Sequence, residues 1–74
     1  MGRKKEAFSP TLIEQGKRIK ELRTAKGISQ IALAELLGYS TANVVYYLEK
    51  GRSGLSHQQA LKLSKIFNVP LERI

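Results

Sequence analysis

The spacing of helix-start and helix-stop residues is the feature of this sequence that most constrains its fold. Ser9 and Pro10 form a helix start, because serine caps free amide groups and proline lacks the amide hydrogen that would be unpaired there. Gly27, Gly38 and Gly51 each follow a short stretch with helical spacing of apolar residues, and glycine commonly ends a helix. The chain is therefore divided into several short helices.

The first three helices are predicted from these boundaries. One runs from Pro10 to Gly27, a second follows the cap residue Ser29 and ends at Gly38, and a third covers residues 41–50. Apolar residues at intervals of three and four predict one buried face on each helix. The residues predicted to face inward are Leu12, Ile19, Leu22, Leu33, Ala34, Leu37, Val45 and Leu48.

A fourth helix begins at a capping box, in which Ser56 is followed three residues later by Gln59. Asn68 and Pro70 end it, and residues 71–74 are typical of the opening of a fifth helix. The predicted buried residues of the fourth helix are Ala60, Leu61, Leu63, Ile66 and Phe67.

No stretch of the chain shows convincing strand alternation. The run from Val44 to Tyr47 favours a strand by propensity, but it is short and lies between a helix cap and a glycine. Short isolated helices are marginal in water, so these helices must share one core. The sequence predicts an all-α fold, a compact bundle of four to five short helices over residues 9–74, preceded by a flexible basic arm at 1–8.

Composition limits the classes of function. Thirteen Lys and Arg against six Asp and Glu give a net charge of +7, which favours polyanionic partners such as nucleic acid, with an anionic membrane as the competing partner. The chain has no cysteine, one histidine and no glycine-rich phosphate loop, so we expect neither an enzyme nor a metal or cofactor site. Its apolar stretches are too short to span a bilayer, so we expect a cytoplasmic protein without a membrane partner.

The segment from Ser29 to Ser40 predicts how two helices pack, and not only that helices form. Two helices that cross steeply over a very short turn require a small residue at the crossing, here Ala34. The turn requires a residue that tolerates positive φ, here Gly38. This arrangement predicts a helix-turn-helix, whose second helix enters the major groove of DNA.

The chain resembles the lambda-repressor-like, Cro-type (XRE) helix-turn-helix DNA-binding domains. The resemblance covers roughly 55 to 60 residues in a fixed order, which is more specific than a two-helix match alone. The matching segments are GKRIKELR at 16–23, KGISQ at 26–30, LAELLG at 33–38, LEKG at 48–51, LKL at 61–63 and FNV at 67–69.

This resemblance implies roles for three residues. Gln30, at the start of the second helix, would contact a backbone phosphate and brace the recognition helix; the alternative is a solvated first-turn residue. Arg23 and Glu49 match a pair that ties the first helix to the end of the recognition helix, and this role is structural.

The recognition helix departs from the common pattern by one additional residue in the turn that precedes it. Alignment backwards from Glu49 places Val45 and Leu48 in the core. The predicted base-facing residues are Ala42, Asn43, Val44 and Tyr47, with Ser40, Thr41 and Tyr46 at the margins of the groove. Asn43 is the expected base contact, because its amide pairs with adenine through two hydrogen bonds; the alternative is that it satisfies its own helix end.

Cations lie around the helix-turn-helix rather than within it. No Lys or Arg occurs between Ser29 and Glu49, so affinity is expected to come from phosphate contacts outside this segment. The predicted phosphate contacts are Lys17, Arg18, Lys50 and Arg52.

These features predict a sequence-specific DNA-binding transcriptional regulator, with repression as the expected outcome, that binds a two-fold operator as a homodimer. A second hypothesis keeps the fold but makes it a protein-interaction module, such as an antitoxin or a coactivator. It rests on the apolar Val44, Tyr46 and Tyr47, and on Ile31 and Leu36, which lie where the family usually has polar residues.

Overall fold

The computed structural model describes residues 10–74, which form four α-helices and one 3₁₀ turn. The helices are α1 (Pro10–Lys26), α2 (Gln30–Leu36), α3 (Asn43–Glu49) and α4 (His57–Phe67), and the 3₁₀ turn covers Leu71–Arg73. The predicted all-α helical bundle is confirmed, and no described residue belongs to a strand. The predicted arm at 1–8 and the Ser9 cap lie outside the described residues.

The predicted capping residues define the ends of α2 and α4. The Ser29 hydroxyl accepts a hydrogen bond from the Ala32 amide at 3.1 Å. Ser56 and Gln59 form a reciprocal capping box at the start of α4. Asn68 ends α4 in the left-handed conformation, with φ 56°. Each cap pairs a backbone group that would otherwise lack a partner.

Helix α3 is shorter than predicted, because it begins at Asn43 rather than at Thr41. Its N-cap residue, Ala42, has helical backbone angles but no side-chain oxygen to accept from the first amides. Ser40 and Thr41 lie in the turn and are exposed. The additional residue recognised in the sequence therefore lengthens the turn, not the helix.

The predicted opening of a fifth helix is present as a single 3₁₀ turn, Leu71–Arg73. Arg73 donates its amide to the carbonyl of Pro70, and Ile74 donates to the carbonyl of Leu71, at 2.9 and 3.1 Å. Both hydrogen bonds span three residues, which defines a 3₁₀ turn rather than an α-helix. Ile74 is nevertheless buried in the core, a contribution that the sequence did not indicate.

One hydrophobic core unites the four helices and the 3₁₀ turn. Its buried members are Ile19, Leu33, Ala34, Leu37, Val45, Leu48, Leu63 and Ile74. The predicted burial of Leu61 is wrong, because this side chain is 41% exposed. Leu61 precedes the fully buried Leu63 by two residues, and positions two apart on a helix point in different directions.

Candidate nucleic-acid interface

Helices α2 and α3 form a helix-turn-helix with the small residue and the glycine at the predicted places. Ala34 is fully buried, and the amide of Tyr39 donates to its carbonyl at 2.9 Å. Gly38 has φ 95°, a backbone conformation that residues with a Cβ atom rarely adopt. Helix α3 packs with Val45 and Leu48 buried, and its other side faces outward.

The outward side of α3 is a continuous stripe of polar and aromatic residues. Asn43, Tyr46, Tyr47 and Lys50 are exposed, and their spacing of three and four residues places them along one face. We call this set the outer face. Val45 and Leu48, on the opposite side, are buried as predicted.

The structure places Val44 and Tyr46 differently from the sequence prediction. Val44 is half-buried and packs against the core, although it was predicted to face the groove. Tyr46, which was predicted at the margin, lies within the outer face. Ala42 is half-buried at the start of α3. The apolar contact with DNA expected of Val44 is therefore restricted to the part of its side chain that remains exposed.

A largely buried ion pair connects the first helix to the end of α3. Arg23 Nε donates to Glu49 Oε2 at 2.6 Å, and Arg23 Nη2 donates to Glu49 Oε1 at 3.2 Å. Arg23 Nη1 also donates to the carbonyl oxygen of Ile28 at 2.9 Å. The two side chains are only 11% and 4% exposed. The structure thus contains the Arg23–Glu49 pair that the family resemblance implied.

Gln30 takes part in the same network. Its Nε2 donates to Glu49 Oε1 at 2.9 Å, so the first residue of α2 is bonded directly to the last residue of α3. The predicted bracing of the recognition helix is therefore present as a defined hydrogen bond. Contact between Gln30 and a phosphate stays a prediction.

The two tyrosines of the outer face pack against each other. Their ring centroids are 5.6 Å apart with an interplanar angle of 67°, which is an edge-to-face arrangement. The Lys50 ammonium lies 5.5 Å from the centroid of the Tyr46 ring, within the range of a cation–π interaction. Tyr46 and Tyr47 are 44% and 43% exposed, so both rings remain accessible.

The cations predicted to contact phosphates are not equivalent. Lys17, Lys50 and Arg52 are exposed. Arg18 is half-buried, and its Nη2 donates to the carbonyl oxygen of Ile74 at 3.1 Å. Arg18 therefore joins α1 to Ile74, directly after the 3₁₀ turn, and a phosphate contact by this side chain stays a prediction.

A side-chain link between the turn and α4 was missed by the sequence analysis. Gln59 Nε2 donates to the Tyr39 hydroxyl at 2.5 Å while its Oε1 accepts from the Ser56 amide. The capping box of α4 is thus bonded to the turn that precedes α3. No local pattern identifies such a pair, because its members are 20 residues apart.

The fold and the exposed face of α3 define a helix-turn-helix protein. The model of the helix-turn-helix family matches residues 19–74, and the chain belongs to this family. Within residues 10–74, no helix is long and apolar enough to cross a membrane, and no cluster of acidic, histidine or cysteine side chains is suited to a metal ion.

Archaeal proteins described as transcriptional regulators resemble this chain in sequence. An HTH-type transcriptional regulatory protein of Pyrococcus furiosus is 45% identical over 56 residues, which are 76% of this chain and 18% of that protein. An HTH-type transcriptional regulator of Archaeoglobus fulgidus is 36% identical over 55 residues, or 74% of this chain and 77% of that protein. The chain thus spans less than a fifth of the Pyrococcus relative.

Solved structures show the same fold. The restriction-modification controller protein C.AhdI from Aeromonas hydrophila superposes with a TM-score of 0.78 and 35% identity, over 88% of this chain and 97% of that one. The DNA-binding domain of BldD superposes with a TM-score of 0.70 and 27% identity, over 88% of this chain and 94% of that one.

Proposed function

We propose that this chain is the DNA-binding unit of a transcriptional regulator that places α3 in the major groove of a specific duplex sequence. The observation that carries this proposal is the outer face of α3, whose residues contribute little to the core. The helix that presents them is fixed by Val45, Leu48 and the Arg23–Glu49 pair. The relatives described as transcriptional regulators support this function.

The distribution of charged residues favours an interface in which one set of residues supplies affinity for DNA and another supplies sequence specificity. Glu49 is paired with Arg23, so Glu35 is the exposed acidic residue between 29 and 49. Lys17, Lys50 and Arg52 are exposed and supply phosphate contacts, while Asn43 supplies the base contact. Ser40 and Thr41 in the turn, the exposed part of Ala42, and Gln30 complete the proposed interface.

The proposed regulator represses by occupying its operator in the cytoplasm, without catalysis. Two copies bind a two-fold site whose halves lie about one helical turn apart. Selection of bound sequences from a randomised duplex library tests this proposal. We expect an enriched palindromic site with A·T pairs opposite Asn43, whereas recovery of unenriched sequences would refute sequence-specific recognition.

Asn43→Ala is expected to lose discrimination at one A·T pair of each half-site, by about 1–3 kcal/mol. The physical reason is the loss of two hydrogen bonds to adenine. Competition binding with duplexes that vary at each position measures this effect, and thermal unfolding checks that the fold is intact. Uniform weakening at all positions would contradict a base contact.

Arg52→Ala is expected to weaken binding to all duplexes alike and to reduce the slope of log K against log salt by about 1. The slope falls because one phosphate contact, and the counterion that it releases, is lost. Titrations at several salt concentrations give this slope. Arg73→Ala is the matched control, since Arg73 is also exposed but lies in the 3₁₀ turn; an equal change in both variants would exclude a specific contact of Arg52.

A protein partner is the second candidate function, and it is favoured by exposed apolar residues outside the core. Ile31 and Leu36 are 40% and 55% exposed on α2, and both tyrosines of α3 are exposed. Such residues commonly line protein interfaces. Duplex binding that is insensitive to salt and sequence would favour this candidate over DNA recognition.

A further inference from the structure

A concave cleft of about 250 Å³ lies beside the outer face of α3. It is formed where α1, the start of α2 and the end of α3 meet. Its lining residues are Lys20, Gln30, Tyr46, Glu49 and Lys50. Lys20 was not among the residues that the sequence analysis connected with phosphate binding.

The cleft is cationic although one of its lining residues is a glutamate. The Glu49 carboxylate accepts two hydrogen bonds from Arg23 and one from Gln30, and Arg23 balances its charge. The two exposed lysines therefore determine the net charge of the cleft. Gln30 has a second amide hydrogen on the nitrogen that bonds to Glu49. These groups are complementary to a phosphate, which carries negative charge and several oxygen atoms that accept hydrogen bonds.

Tyr46 restricts the position of one of these lysines. Its ring lies 5.5 Å from the Lys50 ammonium and meets the Tyr47 ring edge-to-face. The face of an aromatic ring attracts a cation, and this attraction depends on the ring rather than on the hydroxyl group. Tyr46 thus holds the ammonium group at the edge of the cleft.

We propose that the cleft binds one phosphate of the DNA backbone between Lys20 and Lys50, and that Tyr46 serves it by positioning Lys50. This inference rests on the proposed DNA-binding function. It assigns a positioning role to Tyr46, which the sequence analysis placed only at the margin of the groove. The geometry also predicts that the cleft contributes to every duplex complex, whatever its sequence, because phosphates carry no base information.

The experiment measures the salt dependence of binding to a non-specific duplex for the wild type and four variants. We expect Lys20→Ala and Tyr46→Leu each to lower the slope of log K against log salt by about 1. We expect Tyr46→Phe to retain the wild-type slope, because it keeps the ring. Lys65→Ala is the matched control, since Lys65 is exposed on the last turn of α4 and does not line the cleft.

A wild-type slope in Lys20→Ala would overturn the phosphate site. A wild-type slope in Tyr46→Leu, or a slope lowered equally in Tyr46→Phe, would overturn the positioning role of the Tyr46 ring. Failure of the wild type to bind any duplex would instead refute the proposed function, so the two failures are distinguishable.

A second arm separates the DNA backbone from a free phosphate as the ligand. Titrations are repeated in inorganic phosphate and in chloride at equal ionic strength. We expect the same affinity in both buffers. Stronger displacement of DNA by inorganic phosphate, abolished by Lys20→Ala, would contradict the assignment to the backbone and make the cleft a site for a free phosphate group.

Discussion

Glu49→Ala is expected to lower the free energy of unfolding by about 3–5 kcal/mol, because it leaves the Arg23 guanidinium buried without its counter-charge. The substitution also removes the acceptor of the Gln30 amide, so α2 and α1 lose their polar connections to α3 together. Native domains have a total stability of about 5–15 kcal/mol, so the loss is a large share of it.

Denaturant unfolding followed by circular dichroism measures this loss. Glu35→Ala is the matched control, because Glu35 is an exposed residue of α2, and surface substitutions usually change stability by less than about 0.5 kcal/mol. Equal midpoints for the two variants would show that the buried pair does not hold α3 in place.

Gly16→Ala is expected to destabilise the domain by about 2–3 kcal/mol, although alanine is the better helix former. A Cβ atom at this position would overlap the carbonyl oxygen of Leu48, and it would lie 2.7 Å from that of Glu49. Both obstacles are backbone atoms at the end of α3, so no side-chain rearrangement relieves them. Helices α1 and α3 would have to move apart, which opens the core around Ile19.

Ala25→Gly provides the control for helix propensity in α1, because Ala25 is exposed on the same helix. This change alone is expected to cost less than about 1 kcal/mol, the value for a helix interior, because Ala25 is the second-last residue of α1. Thermal or denaturant unfolding of both variants gives the comparison. A stabilised Gly16→Ala protein would mean that α1 and α3 are not in close backbone contact.

The helices and their caps could be predicted because they depend on local chemistry. Ser29, Ser56 and Gln59 each accept a hydrogen bond from an amide three residues away, and the positive φ of Gly38 is a property of that residue alone. The Arg23–Glu49 pair is not local, and its partners are 26 residues apart. It was foreseen only because the sequence resembles a family that contains it.

The orientation of side chains around α3 could be predicted only in part. Successive residues of a helix are separated by about 100°, so the burial of Val45 and Leu48 puts Val44 near the edge of the buried side and Tyr46 on the exposed side. The sequence analysis took the roles of Val44 and Tyr46 from the family alignment instead, and the alignment does not fix these directions. Val45 and Leu48 were unaffected because their burial is dictated by hydrophobicity.

Contacts between distant segments were beyond the sequence analysis. The requirement for glycine at position 16 comes from the backbone of α3, and the Tyr39–Gln59 hydrogen bond depends on how α4 packs. The cleft beside α3 likewise combines residues from three helices. None of these features leaves a periodic or short-range signal.

The proposed function depends most on whether the outer face of α3 lies in the major groove of duplex DNA, with Asn43 against a base. This placement can be measured by titrating the isotope-labelled protein with its selected duplex and following the backbone amide resonances. We expect the largest shifts at Asn43, Tyr46 and Tyr47. Shifts concentrated on the last turn of α4 and the 3₁₀ turn, with the resonances of α3 unchanged, would contradict it.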